Sequence, residues 1–278
     1  MIKNGQAARD TTSVADNLSA SNGQAARCTT VARRASPLAT GRLPVVLTLR
    51  QTFKHMFRAN SENPFKGPHQ NSNIARAGAS PEDAIAAMIF IHGRGASAES
   101  ILMLADEFNT DGFHLAAPQA SGFQWYPHSF LAPTERNEPG LSSGLQVIHD
   151  MITDLESKGI NRDKIILLGF SQGACLASEF VARHPAKYGG LIALSGGLIG
   201  DSVSPENYSG SLENTPVFLG CSDIDPHIPV ERVDETSEVL EGLGAELTKK
   251  IYPNMGHTVN EDEINQTQLI LNRFLINK

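Results

Sequence analysis

The sequence predicts an α/β fold of the doubly wound kind, a mostly parallel sheet with helices on both faces in a single folded domain. Three observations carry that expectation. Short, unbroken apolar runs recur from residue 84 onward, as strands buried on both faces require. Amphipathic segments of ten to twenty residues separate them, which is the βαβ rhythm. The residues that directly follow several of the runs carry chemistry (His, Ser, Asp), and ligand sites in such sheets lie beyond the carboxyl ends of the strands.

Taken in order, Ala84–Ile91 reads as a buried strand. Ser97–Phe108 reads as a helix with Ser97 as its N-cap, because a serine hydroxyl ahead of an apolar periodicity can accept from an orphan first-turn N–H. His114–Ala117 is a short strand stopped by Pro118. Leu141–Lys158 is helical, with Leu141, Leu145, Ile148, Ile152 and Leu155 on one face. Ile165–Leu168 is a strand and Ala174–Arg183 a helix; Gly190–Leu194 and Pro216–Leu219 are further strands. Val230–Leu243 is a helix closed by Gly244, Leu247–Tyr252 a strand, and Ile264–Ile276 a final helix. The stretches Gly67–Gln70 and Ala77–Pro81 are turn-rich and mark the approach to the body.

Residues 1–64 read as a basic, low-complexity extension, and 65–278 as the folded domain. Asn4-Gly-Gln-Ala-Ala-Arg9 recurs as Asn22–Arg27, too few copies for a repeat architecture. The extension is poor in acids and in large apolar residues. It fits a disordered tail, a start-site artefact or a transit-like peptide. Leu43–Leu49 is apolar but broken by Pro44 and lies too far in for a secretory signal.

Charge divides along the chain. Residues 1–60 carry a net of +7 and the remainder −14, against −7 overall. An acidic body argues against a nucleic-acid partner. No apolar run reaches 18 residues, so no transmembrane segment is expected. Cys28, Cys175 and Cys221 form neither a disulfide framework nor a zinc pattern, which favours a reducing compartment, the cytoplasm.

The chemistry concentrates at Gly169-Phe-Ser-Gln-Gly173, between an apolar strand and a helix. Gly-x-Ser-x-Gly in that setting is the nucleophile elbow of a serine hydrolase, the glycines removing Cβ atoms from a sharp turn. The strand ends add His92-Gly-Arg-Gly95, Gly220-Cys-Ser-Asp223 and Asn254-Met-Gly-His257. Ser…Asp…His is the chain order of an α/β-hydrolase triad. Ser171 is expected as nucleophile, His257 as its base, and Asp223 as the orienting acid, with Asp225 competing two residues on. The backbone N–H groups of Gln172 and Arg94 are expected to form the oxyanion hole. His92 reads as a structural residue of its own loop. A covalent acyl-enzyme route needs no cofactor, and no metal-ligand pattern such as HExxH is present.

These residues together resemble the α/β-hydrolase phospholipase/carboxylesterase family that includes the acyl-protein thioesterases. The motifs are His92–Gly95, Gly169–Gly173, Asp223-Ile-Asp-Pro-His-Ile-Pro229 and Gly256-His257, with Pro118-Gln119 and Trp125-Tyr-Pro127 between them. The resemblance covers roughly residues 65–278. It implies that the first aspartate of the acid motif, Asp223, is the triad member. Thioesterase members carry Leu where Arg94 stands, so Arg94–Ser97 is closer to the small bacterial carboxylesterases. The resemblance therefore implies a serine carboxylesterase of short- to medium-chain esters, with thioester or lysophospholipid hydrolysis as alternatives. A non-catalytic ligand-binding protein on the same fold is the alternative from another class. A homodimer is also admitted, without an interface signature.

The loop Gly122–Pro133 is aromatic and proline-rich; Trp125 and Tyr126 there, and Ile228 in the acid motif, are expected to line the substrate pocket, unless the aromatics form only a satellite core cluster. Turnover is expected to fall as pH drops through an ordinary histidine pKa of about 6.5.

Overall fold

Side chains that alternate between two apolar layers explain why the predicted runs become strands. In the computed structural model, which describes residues 56–275, Ala87, Ile89 and Ile91 face one layer while Ala86, Met88 and Phe90 face the other. Leu191 and Ala193 likewise oppose Ile192 and Leu194. A strand with no solvent face must be apolar throughout, and these are. The chain falls into two units, Met1–Arg50 and Gln51–Lys278, and every described residue belongs to the second. The repeated hexapeptides, Cys28 and Leu43–Leu49 lie outside the described residues.

Seven strands form one sheet: β1 (Ile74–Gly78), β2 (Ala86–Ile91), β3 (Phe113–Pro118), β4 (Ile165–Phe170), β5 (Gly190–Leu194), β6 (Pro216–Ser222) and β7 (Glu246–Tyr252). Their order is β1-β3-β2-β4-β5-β6-β7. Only β1 runs antiparallel, against β3; the other pairs are parallel. One face is covered by α2 (Gly140–Ser157), α3 (Gln172–Arg183) and α4 (Val230–Gly242), through residues such as Leu145, Phe180 and Leu240. The other is covered by α1 (Ala98–Leu102) and α5 (Glu261–Leu275), through Ile101, Ile270 and Leu271. The strand order reverses beside β2 and β4, so the loops leaving those strands open into the crevice where doubly wound sheets bind ligands.

Several boundaries differ from the sequence expectation. The helix expected over 97–108 is α1 followed by a 3-10 segment, Met103–Glu107. The tighter winding brings residues three apart into line, and Ala105 and Phe108 are both buried against the sheet. Ser97 does cap α1, accepting from Ser100 N–H at 3.2 Å. Strand β1 was unforeseen because an exposed edge strand of mixed polarity carries no apolar run.

Residues 56–64, expected in the extension, dock on the domain instead. Met56 and Phe57 pack on the core, Phe57 O accepts from Arg183 Nη1 at 3.1 Å, and Asn60 N–H donates to Gln146 Oε1 at 3.3 Å. Phe65 N–H shares that acceptor at 3.2 Å. Much of the anchorage runs from backbone to distant side chains, a pattern that composition does not reveal.

Candidate active site

At the end of β4 the chain turns so sharply that Ser171 adopts φ 55°, ψ −120°. The turn is held by Ser171 N–H donating to Leu194 O at 2.9 Å and by Cys175 N–H donating to Ser171 O at 3.0 Å. A Cβ on Gly169 would collide with the backbone of Gly173, and one on Gly173 with the carbonyls of Ile91 and His92. Gly169 is therefore required by the tight approach of β4 to the start of α3 and Gly173 by the approach of the end of β2, and the strained serine persists because both flanks are over-determined.

His257, in the loop after β7, stands between Ser171 and an aspartate. A carboxylate can only accept, so Nδ1–H donates to Asp225 Oδ2 at 2.7 Å and Nε2 is left facing Ser171 Oγ at 2.9 Å. The imidazole also packs 4.9 Å from the Phe170 ring and 4.8 Å from that of His227.

The acid is a correction to the sequence reading. Asp223 was expected to hold His257; it is exposed and accepts from Asn254 N–H at 2.7 Å instead. The reason is that β6 runs three residues further than expected, to Ser222, and Asp223 N–H adds a bond to Tyr252 O at 3.0 Å. Only after that does the chain turn back under the histidine. Asp225 Oδ1 stabilises this turn by accepting from His227 N–H at 2.8 Å and Ile228 N–H at 3.1 Å. Its side chain is 0 % exposed, against 18 % for His257. Burial pushes the Asp225 pKa up, but the hydrogen bonds from His257 and from the two backbone N–H groups outweigh it and the carboxyl lies below its ordinary value.

The backbone N–H groups of Arg94 and Gln172 flank Ser171 in the chain and in the neighbouring loop, and neither donates to an acceptor among the described residues. Gly95 N–H fixes the first loop by donating to Phe123 O at 2.7 Å.

A cavity of about 500 Å³ opens on Ser171 and His257. Tyr126 and Ile228 line it, joined by Phe130, Phe170, Cys175 and His227. Trp125 does not, which corrects the second expectation. It is fully buried, with Nε1–H donating to His92 O at 2.9 Å and its ring edge-on to His69 at 5.3 Å. A tryptophan has one donor to satisfy when buried, and the strand-end carbonyl of His92 satisfies it. His92 is structural: Nδ1–H donates to Gly93 O at 2.7 Å and Nε2 accepts from Ala120 N–H at 3.0 Å. Burial lowers its pKa. The lining role of Phe170 and Cys175 was missed because spacing does not tell a core side chain from one facing a cavity. Among the described residues no three His, Cys, Asp or Glu side chains converge as a metal site, and no helix is long and apolar enough to cross a membrane.

Comparison with known proteins agrees with this architecture. The profile of the phospholipase/carboxylesterase family matches residues 72–275. An acyl-protein thioesterase 1 of Debaryomyces hansenii is 30% identical over 212 residues, covering 68% of this chain and 91% of that protein. The acyl-protein thioesterase 1 of Gibberella zeae is 31% identical over 147 residues, 50% of this chain and 61% of that protein. A phospholipase/carboxylesterase crystal structure from Dyadobacter fermentans superposes with a TM-score of 0.71 at 39% identity, covering 74% of this chain and 99% of that one.

Proposed function

Since the chain belongs to the phospholipase/carboxylesterase family, a hydrolase family of the esterase and thioesterase class, we propose that it hydrolyses short- to medium-chain carboxylic esters through Ser171, His257 and Asp225. The observation that carries the reading is the single imidazole bonded at 2.9 Å to a strained serine and at 2.7 Å to a buried carboxylate. His257 Nε2 takes the Ser171 proton as Oγ attacks the ester carbonyl. The tetrahedral oxyanion is received by the N–H groups of Gln172 and Arg94, each donor of this kind contributing about a hundredfold or more in rate. The intermediate collapses when His257 returns the proton to the departing alcohol. Water then repeats the sequence on the acyl-enzyme, regenerating Ser171 and releasing the acid. Asp225 keeps Nδ1 protonated and stabilises the imidazolium. The three side chains supply the whole proton path.

The cavity suits an acyl chain of modest length, being walled by Tyr126, Phe130, Phe170 and Ile228. Thioester hydrolysis is the second reading, favoured by the similarity to the two fungal acyl-protein thioesterases. Both use the same covalent step and differ in the leaving group. A cytoplasmic location accords with the free, buried Cys175 and Cys221.

The test is hydrolysis of a p-nitrophenyl ester series from C2 to C16, run beside acyl-thiocholine esters of matched length. Ester turnover peaking at short or medium chains is expected. Ser171→Ala should lose at least about a thousandfold in kcat. Thioesters preferred over esters of equal length would replace the first reading with the second.

A further inference from the structure

Arg94 does more than carry a backbone donor. Its guanidinium reaches across the mouth of the cavity and makes four hydrogen bonds to one short segment: Nη1–H groups to Gln124 Oε1 at 2.6 Å and Pro127 O at 3.0 Å, Nη2–H groups to Tyr126 O at 2.8 Å and His128 O at 2.7 Å. All four acceptors are neutral. Residues 126–130 form one wall of the cavity that contains Ser171. No helix or strand spans 124–133, so the wall has no ladder of its own to hold it.

A second clasp comes from the elbow. The Gln172 side chain accepts from Trp125 N–H at 2.8 Å and donates to Tyr126 O at 2.9 Å. Tyr126 O is thus shared between the two clasps. Arg94 holds the outer part of the wall and Gln172 the inner part, and both residues also present the two N–H groups assigned to the oxyanion. Wall and reacting centre are referenced to the same two residues.

We propose that the Arg94 guanidinium is a positioning residue that fixes residues 124–128 across from Ser171 and thereby sets which acyl-chain lengths the cavity accepts. The proposal rests on the reading of this cavity as the ester site. A planar fork with donors on both terminal nitrogens can serve four spread carbonyl oxygens at once. The three donors of a lysine ammonium diverge from one atom and cannot.

Arg94→Lys and Arg94→Ala test it on two independent signals. The first is kinetic: KM for the preferred ester should rise about tenfold relative to KM for the acetyl ester. The optimum should move to longer chains, and Lys should not restore it. The second signal needs no turnover. Trp125 is the only tryptophan of the chain and lies within the clasped segment. Its fluorescence should become more accessible to acrylamide in both variants. Wild-type quenching in both variants, an unshifted length profile, or full rescue by Lys overturns the proposal. If the wild-type protein cleaves no ester, the esterase reading falls, and quenching of Trp125 alone still decides the clasp.

Discussion

Asp225 and Asp223 show how much two residues matter when a charge must meet an imidazole. The carboxyl that pairs with His257 has to be buried, oriented and kept ionised; Asp225 accepts from three N–H donors and the Cys221 thiol on its two oxygens, and Asp223 accepts from one N–H. Asp225→Asn should lower kcat about ten-thousandfold, since an amide oriented by the same backbone donors leaves Nδ1 without an acceptor. Asp223→Asn keeps an oxygen for Asn254 N–H and should stay within about threefold of wild type. Equal losses in a steady-state assay would return the triad role to an unresolved pair. The sequence already placed Ser171 and His257, because each follows a strand that composition reveals. It assigned the acid to Asp223 with Asp225 as competitor, and the structure brings Asp225 to His257 instead, since where β6 ends depends on its pairing with β7 rather than on local propensity.

At the scale of elements, α5 begins with a reciprocal cap. Asn260 Oδ1 accepts from Glu263 N–H at 3.0 Å and Glu263 Oε2 accepts from Asn260 N–H at 2.9 Å. The glutamate is fully buried against Gly220 of β6, and its other oxygen has no partner among the described residues. Burial pushes its pKa up to about 7. The folded state therefore holds the proton more tightly than the unfolded chain, whose value is 4.5. The sign follows: the stability this group contributes is fully present below pH 4.5 and is lost as pH rises to about 7, by on the order of 3 kcal/mol. Glu263→Gln should remove that decline when urea midpoints are compared between pH 5 and pH 8. His184, lowered to about 4 chiefly by burial, acts oppositely in the same window, and the comparison with Glu263→Gln cancels it. A variant with the wild-type slope would rule the glutamate out. Helix α5 was legible from its amphipathic face, but its start lay three residues earlier than expected. The apolar period begins at Ile264, whereas the cap begins with polar residues.

Across the whole domain, a buried ion pair ties distant parts of the chain together. Arg183 Nε donates to Glu179 Oε1 at 2.7 Å, Glu179 Oε2 accepts from Ile199 N–H at 2.8 Å, and Arg183 also holds Phe57 O. Both side chains are essentially inaccessible. Arg183→Met would leave a buried carboxylate without its cation and should cost about 3–5 kcal/mol, read as a lower thermal midpoint with the catalytic residues untouched. A loss below 1 kcal/mol would mean that water reaches the glutamate. The sequence by itself determined the layered α/β architecture, since runs buried on both faces can hardly be polar, and the sharp turn that carries Ser171, since a strand–turn–helix with two close approaches demands glycines around it. Only the tertiary structure decided which aspartate meets His257, that Trp125 supports the wall rather than facing the cavity, and that residues 56–64 belong to the domain. Each of those outcomes depends on hydrogen bonds between residues far apart in the chain, and such bonds leave no periodic trace in the sequence.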